Sequence, residues 1–243
     1  MLWDKNGIQI VISAYNSEKY LLKCLESIEE VMAGQKWVML FGDDGSTDST
    51  YEIAKKFSKK SSADYWQIKK FNKAKNVAAA KNRVFKMCLE NGPDYPAIFM
   101  MDSDDLMRKE RLQLLEILRS TDTKFAFGDY EIIYPNGDRK LIDADYAWLY
   151  MSFGWWATVF HYSLIPQDGK IWDERLDALT PSDVKILDDM AFISYNNHSQ
   201  EVYLANQPLT KAYLLIETSV EHYHDFSTSD TELNFGIYFP NVG

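Results

Sequence analysis

The stretch Ile98-Phe99-Met100-Met101-Asp102-Ser103-Asp104-Asp105 constrains this chain more than any other. Four consecutive apolar residues run straight into three carboxylates spaced by one serine. A short apolar run without polar alternation is the pattern of a strand covered on both faces, as in a parallel sheet flanked by helices. Such a strand meets water only at its end, and here that end is acidic. Asp102 and Asp104 are two residues apart, so in extended chain they point the same way. Two carboxylates at the carboxyl edge of a strand make a hard-oxygen site suited to Mg²⁺ or Mn²⁺. In open α/β sheets this edge is also where ligands bind. The simpler reading is a solvated turn, with Asp105 capping a helix that begins near Arg108.

The rest of the first half supplies the sheet that such a strand needs. Ile8–Ser13 is rich in β-branched residues and predicts a strand; Ala14-Tyr15-Asn16 predicts a turn. Ser17 is placed to cap a helix reaching about Met32, with Leu21, Leu25 and Ile28 on one face and Gly34 after its end. Trp37–Phe41 predicts a second strand, followed by Gly42-Asp43-Asp44-Gly45-Ser46-Thr47-Asp48-Ser49. The glycines permit a tight turn, and the Ser/Thr/Asp cluster can start a helix near Ser49. This is neither a dinucleotide fingerprint nor a P-loop. An acid at a strand end suits hydrogen bonding to a nucleobase or ribose rather than cradling phosphate. A strand at Asp64–Lys70, a helix at Asn76–Leu89 broken by Asn91-Gly92-Pro93, the strand Ala97–Met101 and a helix at Arg108–Arg119 complete the alternation. A doubly wound α/β sheet follows.

The pattern changes after that. Phe125–Tyr134 and Arg139–Ile142 flank Pro135-Asn136-Gly137-Asp138, a hairpin signal. An aromatic stretch follows, including Trp155 and Trp156 behind Gly154. Ser182–Tyr195 has helical character and contains Asp188-Asp189; Val202–Leu204 and Leu209–Leu215 have strand character. With no internal repeat and no low-complexity linker, the expectation is one domain over 1–243.

Charge narrows the function classes. The net charge of −10 argues against general nucleic-acid binding. Between Lys55 and Lys86, however, Asp64 is the sole acid among eleven bases, a bias that suits a positive rim beside a phosphate or polyanionic ligand. Cys24 and Cys88 sit at apolar helical positions and read as buried thiols; two cysteines cannot build a cysteine metal cluster. No run approaches the ~18 apolar residues of a membrane span. No basic-then-apolar leader is visible at the N-terminus, so a cytoplasmic protein is expected.

Six segments then converge on one family. They are Val-Ile-Ser-Ala-Tyr-Asn (11–16), Asp-Asp-Gly-Ser-Thr-Asp-Ser-Thr (43–50), Ala-Lys-Asn (80–82), Met-Asp-Ser-Asp-Asp (101–105), Trp-Asp-Glu-Arg-Leu (172–176) and Asp-Asp-Met-Ala-Phe (188–192). In this order the chain resembles the family 2 glycosyltransferases over roughly residues 7–215. The resemblance implies a GT-A fold: a Rossmann-like nucleotide-binding sheet over about 7–120, a mixed acceptor-side half over about 121–215, and a tail at 216–243. It implies transfer of a sugar, with inversion, from a nucleotide-sugar (a UDP-linked donor is expected) to a glycan or other hydroxyl acceptor, helped by Mn²⁺ or Mg²⁺.

The same resemblance assigns roles. Ser13, Ala14, Tyr15, Asp43, Asp44, Lys81, Asp102 and Ser103 would contact the donor, with Tyr15 stacking on the base and Asp44 accepting a hydrogen bond from its edge. Lys81 stands where the family usually has arginine, and so would meet the diphosphate as a point charge rather than a fork. Asp104 would touch the metal, with Asp102 and a late histidine, His224, as further ligands. Trp155 and Trp156 would face the acceptor, as aromatic rings stack on sugars.

Asp189 matches the general base, but the preceding residues are Leu187-Asp188 where the family commonly has Gly-Glu. Asp188 therefore stays a candidate. The two lie about 100° apart around a helix. Asp189 falls beside Ile186, Met190 and Ile193, and Asp188 beside Val184 and Phe192, so periodicity does not choose between them. A sugar nucleotidyltransferase would also pair an α/β fold with acidic metal ligands. That class resembles a Gly-rich N-terminal phosphate loop with a following basic run, which Val11–Tyr20 lacks. The same motifs would also suit a non-catalytic nucleotide-sugar-binding module, or a glycosyltransferase acting on a modified nucleic-acid base.

Overall fold

The computed structural model describes residues 3–121, 124–128, 130–133, 138–142 and 158–171. In chain order the elements are β1 (Ile8–Ala14), α1 (Leu21–Met32), β2 (Trp37–Asp43), α2 (Thr50–Ser58), β3 (Tyr65–Lys70), α3 (Val77–Asn91), β4 (Ala97–Asp102), α4 (Glu110–Thr121), β5 (Phe125–Phe127), β6 (Tyr130–Ile133), β7 (Arg139–Ile142) and β8 (Thr158–His161). Six strands form one sheet in the order β3-β2-β1-β4-β8-β5. β1 to β4 run parallel, while β8 runs antiparallel to both β4 and β5.

The expected double winding follows from side-chain alternation in the central strands. Phe99 and Met101 of β4 join Ile8, Ile10, Ile12, Met39 and Phe41 on one face, beneath Leu25 and Ile28 of α1, Phe57 of α2 and Leu115 and Leu118 of α4. Ile98 and Met100 join Val11, Val38 and Leu40 on the other face, beneath Val84, Phe85 and Cys88 of α3. Each strand thus feeds two cores, which is why its sequence is apolar throughout. Burying each large side chain contributes roughly 1.5–3 kcal/mol.

Three expectations are corrected and one is borne out. Ser17 does not cap α1, which begins at Leu21 without a side-chain cap. Its carbonyl accepts from Tyr20 N and Leu21 N, and its hydroxyl is drawn instead to Ser103 Oγ, 2.6 Å away. The Ser/Thr/Asp cluster does start α2 as expected, through Asp48 rather than Ser49: Asp48 Oδ1 accepts from Thr50 N (3.0 Å), and Glu18 Oε2 accepts from Ser49 N (3.0 Å). Phe125–Tyr134 is not one strand. Phe125–Phe127 enters the main sheet, where Phe125 stacks on Phe160 of β8, and only Tyr130–Ile133 pairs with Arg139–Ile142. Gly128 lies between the two pieces, where an added Cβ would stand 3.1 Å from Leu114. Finally, the extended geometry invoked for Asp102 and Asp104 ends at Asp102. The chain turns there, and Asp105 N donates to Asp102 O at 3.3 Å.

Candidate active site

Three strand ends build the site. The register sets Ser13 beside Gly42 on one flank and Asp102 on the other, and Ala14 beside Asp43. Parallel neighbours lie about 4.8 Å apart, so residues far apart in sequence share one edge. Asp44 N donates to Ala14 O (2.8 Å), which ties the two loops at their roots.

The two adjacent acids at the end of β2 do different work. Asp43 is fully buried; its Oδ1 accepts from Ser46 N at 3.0 Å, and Lys70 Nζ lies 3.7 Å from Oδ2. Its side chain braces the turn from inside. Ser46 in turn accepts from Asn16 N (3.0 Å), and Asn16 Oδ1 accepts from Thr47 N (2.9 Å). Asn16 adopts φ 48°, a left-handed conformation that asparagine tolerates better than most residues.

Asp44 is aimed at the strand edge, where three groups hold it. Oδ1 accepts from Ala74 N at 2.7 Å and from Arg83 Nη1 at 3.4 Å, and Oδ2 accepts from Lys73 Nζ at 2.8 Å. The same Lys73 ammonium lies 3.2 Å from the ring centre of Tyr15, whose side chain is well exposed. Arg83 also donates to Asn72 O at 2.6 Å. The expected pair Tyr15 and Asp44 is therefore brought together, and through a lysine that the sequence marks only as one member of a basic rim.

The acidic edge is stepped. Asp102 ends β4 half-buried, Ser103 is buried against Ser17, and Asp104 is exposed in the turn. Beneath them lies Arg111 of α4, which is buried. Its Nη2 donates to Met100 O and Thr158 O (2.6 Å each), its Nε to Thr158 O (3.1 Å) and its Nη1 to Met101 Sδ (2.8 Å). Burial pushes the guanidinium down to about 9, while Asp105 and Asp102 pull it back up, so it is a cation at neutral pH. Cys24 Sγ lies 3.5 Å from Asp102 O, and burial, then the charges of Asp105, Asp104 and Asp102, push its thiol up. Both Cys24 and Cys88 are buried free thiols, as expected.

Lys81 is almost entirely buried on α3, next to Asn82, whose Oδ1 accepts from Ile171 N at 3.0 Å. Asn76 caps that helix by accepting from Ala79 N at 2.8 Å. Trp155, Trp156, Asp188, Asp189 and His224 lie outside the described residues. Among the described residues no group of three or more His, Cys, Asp or Glu side chains is arranged to hold a metal. Asp102 and Asp104 still fit Mg²⁺ in donor chemistry, because that ion commonly takes one or two carboxylates and completes its shell with water and ligand phosphates. Among the described residues no helix is long and apolar enough to cross a membrane.

Comparison with known proteins covers the same segment. The profile of Glycosyl transferase family 2 matches residues 9–171. The uncharacterized protein MJ0544 of Methanocaldococcus jannaschii is 31% identical over 120 residues, 49% of each chain. The glycosyltransferase GlyG of Streptococcus pneumoniae is 27% identical over 124 residues, 51% of this chain and 38% of that protein. The chain thus spans half or less of the length of these curated relatives. Among solved structures, residues 1–349 of S. aureus TarS in complex with UDP superimpose with a TM-score of 0.53 at 18% identity, over 74% of this chain and 54% of that one. At that identity the likeness is one of fold.

Proposed function

Since the chain belongs to glycosyl transferase family 2, we propose that it moves a sugar from a nucleotide-sugar, UDP-linked in the first instance, to a hydroxyl acceptor with inversion at the anomeric carbon. The observation that carries this reading is the convergence of Tyr15, Asp44 and the Asp102–Asp104 step on one carboxyl edge of a parallel sheet. Tyr15 offers a ring face to a base, and Asp44 offers an oriented carboxylate to an N–H on its edge. Ser13, Ala14 and Ser103 floor the site between them. Asp104, with Asp102, would hold Mg²⁺ or Mn²⁺, and His224 is the further ligand that the family resemblance suggests. When bound, such a cation neutralises charge developing on the leaving diphosphate. Lys81 would serve the diphosphate only through the part of α3 near its amino end.

The base-recognition role is tested by Asp44→Ala. One charge-assisted hydrogen bond is worth about 1.5–3 kcal/mol, so nucleotide affinity measured by calorimetry should fall by roughly 10- to 150-fold. Unchanged affinity would reduce Asp44 to a turn residue.

The acceptor's proton needs a base, and Asp189 is the residue assigned to it, with Trp155 and Trp156 on the acceptor side. A base acts on the acceptor rather than the donor. Asp189→Asn should leave nucleotide-sugar binding nearly unchanged and cut turnover by ~10²-fold or more. Asp188→Asn should do much less if the helix expected from the sequence forms, because neighbours on a helix lie about 100° apart. The opposite ranking would move the base to Asp188. Slow hydrolysis of UDP-sugars in the presence of Mn²⁺ separates an enzyme from a mere binder.

A further inference from the structure

We propose that Lys73 is the chain's own occupant of the nucleobase site, and that a base binds only by displacing its ammonium. The inference rests on the reading of Tyr15 and Asp44 as the base-binding pair. Lys73 Nζ meets both groups at once, 3.2 Å from the Tyr15 ring centre and 2.8 Å from Asp44 Oδ2. A ring stacked on Tyr15 would place its centre about 4.5 Å or more away. The ammonium lies inside that gap, so lysine and base exclude each other.

The surroundings suit a side-chain switch rather than a loop movement. The backbone at this point is fixed: Ala74 N donates to Asp44 Oδ1, and Gly45, at φ +75°, packs so closely that an added Cβ would stand 2.7 Å from Lys73 N. The side chain is not fixed, since half of it is exposed. Its ammonium can therefore swing into water while the carboxylate stays oriented. Asp44 Oδ1 keeps Ala74 N and Arg83, and Oδ2 is released toward an N–H donor on the incoming base. The ion pair joins a half-exposed ammonium to a buried carboxylate that keeps its other donors, and the cation–π contact lies on a well-exposed ring, so each is modest. Together they correspond to a roughly 3- to 30-fold effect on an equilibrium. Lys73 would thus hold base affinity down and disfavour binding through stacking alone.

Uridine is the probe, because it carries the base without phosphate charge. Calorimetric titration of wild type, Lys73→Met, Lys73→Arg and Asp44→Ala with uridine, at low and high salt, decides the matter. Lys73→Met should tighten uridine binding about 3- to 30-fold and Lys73→Arg should not. The half-exposed ammonium is only partly screened, so wild-type affinity should rise modestly with salt, whereas Lys73→Met should be flat. Equal or weaker uridine binding by Lys73→Met, with Asp44→Ala still impaired, overturns the displacement and leaves the base site standing. Uridine binding that ignores Asp44→Ala, or no uridine binding by any of the proteins, overturns the base-site reading and the displacement with it.

Discussion

Asp104→Asn is expected to abolish sugar transfer, by at least ~10²–10³-fold, and to remove the Mn²⁺ dependence of nucleotide binding, while melting like the parent protein. The residue is exposed in the turn beyond β4, outside both cores, so the fold does not depend on it. Asparagine keeps the shape and removes the negative charge that a divalent cation needs. Asp102 alone, half-buried at the strand end, would offer too little charge. Transfer assays across a Mn²⁺ titration, paired with nucleotide calorimetry with and without EDTA, read both effects. Wild-type turnover in the variant, or full activity of the native protein in EDTA, would remove the metal from the reading.

Arg111→Met should cost about 3–5 kcal/mol of stability, the range for removing one partner from a buried charged network. The guanidinium joins the carboxyl-terminal half of β4 to the first residue of β8 through Met100 O and Thr158 O, and it balances Asp105 and Asp102 from below. Methionine fills part of the volume but leaves those carbonyls short of a donor and those carboxylates short of a cation. Arg111→Lys should recover only part of the loss, since one ammonium cannot reproduce a fork spread over Nε, Nη1 and Nη2. Urea unfolding with an unchanged slope would show the loss directly, and the melting temperature should fall by about 6–20 °C. A variant within about 0.5 kcal/mol of the parent would show that the acidic edge stands without its buried cation.

Neither Arg111 nor Lys73 stands out in the sequence. Arg111 sits in an amphipathic helix where a charged residue ordinarily faces water, and only the approach of β8 turns its position inward. β8 itself carries no strong signal in Thr158-Val159-Phe160-His161; it becomes a strand because the free edge of β4 pairs with it, Ile98 against Phe160. Asp43 and Asp44 look equivalent as neighbours in one turn. Their different partners, Ser46 N for Asp43 and Lys73, Ala74 N and Arg83 for Asp44, come from the turn itself in one case and from other parts of the chain in the other.

What the chain's sequence determined by itself is whatever depends on local periodicity. The unbroken apolar runs of β1, β2 and β4 could only be strands buried on two faces, and the helical stripes between them could only cover those faces. The Asp102–Asp104 edge followed, because a buried strand must place its charges where it ends. Tertiary structure alone decided which side chains meet at that edge. Ser17 turns from its own helix to Ser103, 86 residues away, and one lysine among eleven bases reaches both Tyr15 and Asp44. The reason is geometric. Parallel pairing sets residues distant in sequence side by side at a register fixed by the whole sheet, and hydrogen bonds of 2.6–2.8 Å are far more selective than any spacing along the chain.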